Sequence, residues 1–152
     1  MDMELKIPPV VQWLVAAGVM WLIAACTAID DFSFLGQIFF AVTCCVVGIV
    51  VGIVAILDFR KHHTTVIPHA PQQASTLVDS GVFRYSRNPM YLGLVITLVA
   101  WAIYLGSYLS FVVIVVFIRY LTRFQIVPEE RVLLALFDES YAEYCKEVRR
   151  WF

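Results

Sequence analysis

The sequence predicts an all-α polytopic membrane protein with about four transmembrane helices and a C-terminal amphipathic helical segment. Of its 152 residues, 61% are hydrophobic and only 15% are charged, and the mean hydropathy is +0.81, well above that of an ordinary soluble domain. The apolar residues fall into about four blocks, each about as long as a membrane helix. Four such spans leave no room for a separate soluble domain, so residues 1–152 are predicted to be one membrane domain.

The first two apolar blocks cover residues 10–29 and 34–57. A proline pair precedes the first block, where its missing N–H groups are harmless at a helix start. A signal peptide is the alternative interpretation of this block, but Asp2 and Glu4 oppose the basic character that such a leader requires. The second block is long enough to span the bilayer with some tilt. Both blocks are therefore predicted to be retained transmembrane helices.

The other two apolar blocks, residues 89–105 and 108–127, are separated only by Gly106 and Ser107. Such a short linker predicts an antiparallel helical hairpin. Lysine and arginine are absent from the first and third connections, whereas the central loop and the C-terminal tail carry most of them. The positive-inside rule therefore places both termini and the central loop in the cytoplasm, and the small extramembrane mass favours a prokaryotic inner membrane.

An amphipathic pattern follows Pro128, and residues 128–152 are predicted to form a helix or helix pair along the membrane interface or under the bundle. Glu129 and Glu130 would occupy the first turn of this helix, where the macrodipole stabilises carboxylates by about 0.3–1 kcal/mol each. Two adjacent acids just below a membrane helix can also hold the ammonium group of an amino-acid-like ligand by charge-assisted hydrogen bonds.

Two arginines, Arg119 and Arg123, lie four residues apart near the end of the fourth apolar block. Charge at this depth normally faces a protein interior or an aqueous cavity, which indicates a functional role. Snorkelling to the headgroups is the structural alternative, above all for Arg123, which is nearer to the helix end.

No metal site is predicted. Three histidines stand in the polar central loop without a nearby cluster of acidic ligands, which favours a solvated role: His62, His63 and His69. Four cysteines lack the CxxC spacing of a metal site, and three of them lie in apolar blocks where cysteine behaves as a small hydrophobe: Cys26, Cys44, Cys45 and Cys145.

A box running from Arg87 to Gly93, Arg-Asn-Pro-Met-Tyr-Leu-Gly, is followed some forty residues later by the Glu129-Glu130 pair. This arrangement resembles the isoprenylcysteine carboxyl methyltransferase and phospholipid methyltransferase superfamily, whose pattern is Arg-His-Pro-x-Tyr-hydrophobic-Gly and then Glu-Glu. The similarity extends upstream over residues 76–83 and downstream over residues 137–144, so it covers roughly the C-terminal half.

The resemblance implies that S-adenosylmethionine is the cofactor, bound between the central loop at about residues 75–91, the last two membrane helices and the C-terminal helix. Carried over position by position, the cofactor-binding residues would be Thr76, Leu77, Val78, Phe83, Asn88, Pro89, Met90, Tyr91, Glu129 and Glu130. These residue types suit the ligand, because a carboxylate can take the methionine ammonium and aromatic faces stabilise a sulfonium ion by cation–π attraction.

The chain departs from the family pattern at two positions. Asn88 stands where the family has a histidine, which removes a titratable group from this position. Gln125 stands where the prenylcysteine enzymes carry an arginine that orients the substrate carboxylate. Arg119 or Arg123 is expected to take over that catalytic role.

The predicted function is methyl transfer from S-adenosylmethionine to a lipophilic acceptor that arrives from the bilayer. The carboxylate of an isoprenylcysteine-like substrate is favoured, since it is ionised at neutral pH and needs no general base. The expected partners are such a lipid-modified substrate and membrane lipids, with no nucleic acid.

Three alternatives stay open: an N- or S-methyltransferase of phospholipids or small molecules, a membrane sterol-type NADPH reductase, and a non-enzymatic module that binds lipids or a partner. In the reductase, Arg84, Arg87 and Arg119 would bind phosphates. The Glu129-Glu130 pair would repel a polyanionic dinucleotide and so argues against that reading.

Overall fold

The computed structural model describes residues 5, 7–27, 31–61 and 77–152, so Thr76 and the three histidines lie outside the described residues. The described chain forms α1 (Pro9–Cys26), α2 (Gln37–Lys61), α3 (Pro89–Leu105), α4 (Leu109–Leu121) and α5 (Val127–Glu147). A 3₁₀ turn at Gly81–Arg84 precedes α3, and a π-helical turn at Thr122–Ile126 joins α4 to α5.

The prediction of an all-α membrane protein is confirmed. α1, α2 and the continuous helix Leu109–Glu147 are long and apolar enough to cross a bilayer, and α3 is a shorter apolar helix of 17 residues. Many large apolar side chains on α1, α2 and α4 are exposed. Outward-facing apolar surfaces of this kind are what helices that contact lipid require.

In the first half of the chain, the observed helix bounds differ from the predicted ones by a few residues. α1 ends at Cys26, and residues 28–30, which include the predicted end at residue 29, lie outside the described ones. α2 begins three residues later than predicted, after a turn in which Gly36 has a φ of 83°. The side chain of Gln37 explains this start, because its Oε1 accepts a hydrogen bond from the Phe34 N–H at 3.3 Å.

α3 is the central helix, and α2 lies against one side of it at close range. A Cβ placed on Gly48 would come within 2.9 Å of the Gly93 carbonyl oxygen, and one placed on Gly93 would come within 2.8 Å of the Gly48 carbonyl oxygen. Two helix backbones can approach this closely only where both lack side chains, as in membrane helix pairs with small residues at the crossing.

α1 and α4 cover the opposite side of α3 and complete the apolar core. The core includes the buried side chains Ala16, Met20, Leu98, Ile114, Phe117 and Leu121. Two tryptophan N–H groups tie α1 to α3: Trp13 Nε1 donates to Thr97 Oγ1 at 3.0 Å, and Trp101 Nε1 donates to the Ala17 carbonyl oxygen at 3.1 Å. Inside the apolar region such bonds satisfy polar groups that lipid cannot.

The last membrane helix does not stop at Pro128, which the sequence predicts to open a new helix. It continues through the π turn, where the Val127 N–H donates to the Thr122 carbonyl oxygen. The wider turn accommodates proline, which lacks the N–H that a regular helix would require there. The backbone N–H groups beside Glu129 therefore do not form a free helix start, and the expected stabilisation by the macrodipole is reduced.

The C-terminal segment is a helix pair rather than one helix. Asp138 interrupts α5 with φ 41° and ψ −116°, a left-handed backbone that non-glycine residues rarely adopt. The sequence left open whether this segment is one helix or a helix pair, and the break at Asp138 makes it a pair. Residues 148–152 follow α5 and are not helical. We call them the C-terminal strap.

Candidate functional site

Several segments meet at one end of the bundle, which we call the polar end: the turn Gly81–Arg84, the start of α3, the start of α5 and the C-terminal strap. The strap is tied to the two residues that precede α3 by hydrogen bonds to its backbone carbonyl oxygens. The Arg87 N–H donates to the Arg149 carbonyl oxygen at 3.0 Å, and Asn88 Nδ2 donates to the Arg150 carbonyl oxygen at 2.9 Å.

Glu129 is the acid that faces the start of α3. Its Oε1 accepts a hydrogen bond from the Tyr91 hydroxyl at 2.6 Å and another from Gln125 Nε2 at 2.6 Å. Tyr91 is only 5% exposed and Gln125 is fully buried. Both donors are neutral, so these bonds orient the carboxylate without cancelling its charge.

Burial raises the pKa of Glu129 from its ordinary value to about 7. The hydrogen bonds from Tyr91 and Gln125 lower the pKa, and the negative charge of Glu130 raises it further. Among the described residues, no basic side chain contributes to this balance. A carboxylate that has a raised pKa and no cationic partner within the described part of the chain would be stabilised in its ionised form by a cationic ligand.

Glu130, in contrast to Glu129, is surrounded by basic side chains. The guanidinium of Arg150 holds both of its oxygens in a fork, with Nε 2.9 Å from Oε1 and Nη2 2.7 Å from Oε2. Arg87 Nη2 adds a longer contact of 3.4 Å to Oε1, while its Nη1 contacts the sulfur of Cys145. Two-bond pairs between arginine and a carboxylate are strong and fix geometry. Glu130 is thus already neutralised by the protein.

The end of α2 contacts the turn Gly81–Arg84 and fixes its position. Asp58 Oδ2 accepts a hydrogen bond from the Val82 N–H at 3.2 Å, and its carboxylate lies directly against Gly81, whose φ is 59°. The ring of Phe83 packs edge-on against Phe59 with a centroid distance of 4.9 Å. Val78 and Met90 belong to the same small apolar cluster. The end of α2 therefore sets the position of the predicted cofactor loop.

The second half of α5 folds back against this loop. The Tyr144 hydroxyl donates to the Phe83 carbonyl oxygen at 2.7 Å, and Leu77 packs against the cluster of Tyr141, Tyr144 and Val148. A cavity of about 640 Å³ opens between the two segments. Its lining is largely polar: Leu77, Asp79, Ser80, Arg84, Ser140, Glu143, Tyr144, Glu147 and Val148.

The predicted cofactor residues gather at the polar end but do not all share one surface. Tyr91 and Glu129 are in direct contact, whereas Val78, Phe83 and Met90 form the cluster beside α2. The remaining ones are distributed around them: Leu77 lines the cavity, Pro89 is buried at the start of α3, Asn88 holds the strap and Glu130 pairs with arginine.

The two predicted catalytic arginines, Arg119 and Arg123, have exposed side chains. Their role stays a prediction. The structure adds two residues that the sequence did not single out for the site, Arg150 and Asp58. It also shows that Gln125, which the sequence marked only as a departure from the family pattern, contacts Glu129. That contact could have been predicted from the spacing, because residues four apart on a helix are neighbours. Arg150 and Asp58 lie outside the motif in the sequence, and only the folded chain brings them to the site.

A model of the phospholipid methyltransferase family matches residues 36–140. An uncharacterized protein of Haemophilus influenzae is 40% identical over 62 residues, which are 41% of this chain and 98% of that protein. No solved structure matches the chain.

Proposed function

Because the chain belongs to the phospholipid methyltransferase family of membrane methyltransferases, we propose that it transfers a methyl group from S-adenosylmethionine to a lipophilic acceptor at the polar end. The family accounts for methyl transfer to a lipophilic substrate. The observation that carries the choice of cofactor is Glu129, an oriented carboxylate whose described partners, Tyr91 and Gln125, are both neutral. The ammonium group of the cofactor's methionine part would give this carboxylate a cationic partner.

The residues of the polar end fit this cofactor in part. Glu129 would bind the ammonium group, and Tyr91 would keep the carboxylate oriented. Leu77, beside the cavity, offers apolar surface for the nucleoside. Phe83 fits less well as a cation–π partner, since it is 4% exposed and its ring packs on Phe59. Its proposed part is to hold the loop.

When bound, S-adenosylmethionine supplies an electrophilic methyl group on a sulfonium sulfur. In the transfer, the acceptor would form a bond to the methyl carbon as the sulfur–carbon bond breaks, with a neutral thioether as the leaving group. Such an in-line displacement gains most from positioning. A carboxylate acceptor becomes a neutral ester with no proton to remove, so we favour the carboxylate of an isoprenylcysteine-like substrate, with phospholipid or small-molecule N- or S-methylation as the alternative.

Isothermal titration of the detergent-purified protein with S-adenosylhomocysteine tests the cofactor. We expect saturable binding, and weaker binding of methylthioadenosine, which keeps the nucleoside and thioether but lacks the ammonium group. Equal binding of both ligands would remove Glu129 from the proposal. A folded protein in lipid that binds neither ligand would favour the non-enzymatic module, and NADPH binding would favour the reductase.

The acceptor class is tested by supplying methyl-labelled S-adenosylmethionine to membranes that contain the protein. A carboxyl ester releases its label as methanol on treatment with base, whereas an N- or S-methyl group keeps it. Base-stable label in the lipid fraction would exclude the carboxylate.

The proposed role of Arg119 and Arg123 in binding a substrate carboxylate predicts a selective kinetic effect. Alanine at the operative position should raise the KM for the acceptor roughly tenfold or more, because it removes a charge-assisted hydrogen bond, and should leave cofactor binding unchanged. Unchanged turnover in both single variants and in the double variant would remove these arginines from the mechanism.

Cofactor affinity should depend on pH through Glu129. The raised pKa of about 7 means that this carboxyl group is largely protonated at pH 6 and largely ionised at pH 8. An ammonium ligand requires the ionised form, so binding of S-adenosylhomocysteine should strengthen about tenfold over this interval, one tenfold step per pH unit below the pKa. Methylthioadenosine is the control, and its affinity should stay constant. A flat profile for S-adenosylhomocysteine would contradict the assignment.

A further inference from the structure

The two adjacent acids at the start of α5, Glu129 and Glu130, have different partners. Glu129 is held by neutral donors on α3 and the π turn, whereas Glu130 is gripped by the guanidinium of Arg150 through both oxygens. When a helix rotates about its axis, adjacent residues rotate with it, since their side chains project from the same rigid backbone. A fixed Glu130 side chain therefore limits how the start of α5 can rotate, and with it the direction in which Glu129 points.

Arg150 is itself fixed by the strap to which it belongs. Asn88 Nδ2 donates to the backbone carbonyl of Arg150, and the Arg87 N–H donates to that of Arg149. Trp151 packs against the apolar core cluster that contains Tyr91 and Ile126. The strap thus joins the start of α3, which carries Tyr91, to the start of α5, which carries Glu129.

We infer that Arg150 is a positioning residue for the cofactor site: it holds Glu130 and thereby aims the Glu129 carboxylate at the cofactor's ammonium group. This inference rests on the proposed function. The side chain of Arg150 is 37% exposed and that of Glu130 only 16%, so Arg150 contacts Glu130 from the solvent side, away from the buried Tyr91 and Gln125 that contact Glu129. Arg150 does not touch the reacting atoms in this arrangement.

Arg150→Ala tests the inference, with Arg149→Ala as the matched control. Arg149 is the neighbouring arginine of the strap, its side chain is exposed, and its contact to Arg87 uses the backbone carbonyl. We expect Arg150→Ala to weaken S-adenosylhomocysteine binding about tenfold, the effect of one charge-assisted hydrogen bond. Arg149→Ala should bind like the wild type.

Methylthioadenosine separates positioning from a general role in folding. Because it lacks the ammonium group that Glu129 would bind, its affinity should be the same in the wild type and in Arg150→Ala. Arg150→Lys, which keeps the charge but not the fork, should recover part of the affinity for S-adenosylhomocysteine. If Arg150→Ala does not fold, the same comparison is made with Arg150→Lys, where a loss of about threefold is expected.

The outcomes distinguish this inference from the proposed function. A wild type that does not bind S-adenosylhomocysteine overturns the proposed function itself. A wild type that binds, with an Arg150→Ala variant of equal affinity, overturns the inference alone. Equal loss of both ligands in Arg150→Ala also overturns it, because Arg150 would then support the whole pocket rather than the direction of Glu129.

Discussion

Replacing Glu129 by glutamine is expected to weaken binding of S-adenosylhomocysteine about a hundredfold. Glutamine keeps a side-chain oxygen that can accept the hydrogen bonds from Tyr91 and Gln125, so the packing of the polar end is retained while the charge is lost. Removing one partner of a buried, hydrogen-bonded charge pair costs about 2–5 kcal/mol, and a hundredfold loss corresponds to about 2.7 kcal/mol. Titration calorimetry at pH 8, where the wild-type carboxylate is ionised, measures the loss.

Two controls make the Glu129→Gln result specific. Methylthioadenosine should bind the variant and the wild type equally, because it has no ammonium group. Glu139→Gln removes an exposed carboxylate from the same helix and should leave both affinities unchanged. The assignment of Glu129 would be wrong if S-adenosylhomocysteine bound Glu129→Gln as tightly as the wild type.

Replacing Gly48 by alanine is expected to destabilise the protein by about 1–3 kcal/mol, the usual cost of overpacking a close-packed site. The new methyl group would lie 2.9 Å from the Gly93 carbonyl oxygen and 3.0 Å from the Thr97 backbone nitrogen. Both atoms belong to the α3 backbone, so the two helices must move apart to relieve the contact. A lower unfolding temperature in detergent, or unfolding at a lower denaturant concentration, reports the loss.

Gly52 provides the matched control, because it lies one turn further along the same helix. A Cβ placed on Gly52 has no heavy atom within 4 Å, so Gly52→Ala should be neutral or should stabilise by up to about 1 kcal/mol through better helix propensity. Equal effects at the two positions would show that glycine acts through helix propensity rather than through the contact with α3. Gly48→Ala should also loosen the polar end, since α2 carries Asp58 and Phe59.

The transmembrane helices could be predicted from the sequence because each apolar block is long and is bounded by charged or turn-forming residues. The end of the last helix could not. A proline such as Pro128 normally marks a helix start. Here the helix continues past it through a π turn, in which the Phe124 carbonyl oxygen accepts a hydrogen bond from the Leu5 N–H. Helix propensity depends only on residues that are near in sequence, so it could not predict a contact with Leu5.

The candidate site, like the helices, could be predicted only in part. The motif predicted where Tyr91 and Glu129 lie in the chain, and the fold brings them within 2.6 Å of each other. It could not distinguish the two acids, because Glu129 and Glu130 are identical in chemistry and adjacent in sequence. Their difference comes from Arg150, twenty residues further along the chain, which reaches Glu130 only after α5 bends at Asp138.

The shortness of α3 affects the membrane around the protein. Its 17 residues span about 26 Å at about 1.5 Å per residue, a few ångströms less than the roughly 30 Å hydrocarbon core of a typical bilayer. A span this short is matched either by a locally thinner bilayer or by a polar end that lies below headgroup level. In either case we expect lipid headgroups to lie closer than usual to the bilayer centre beside Asn88.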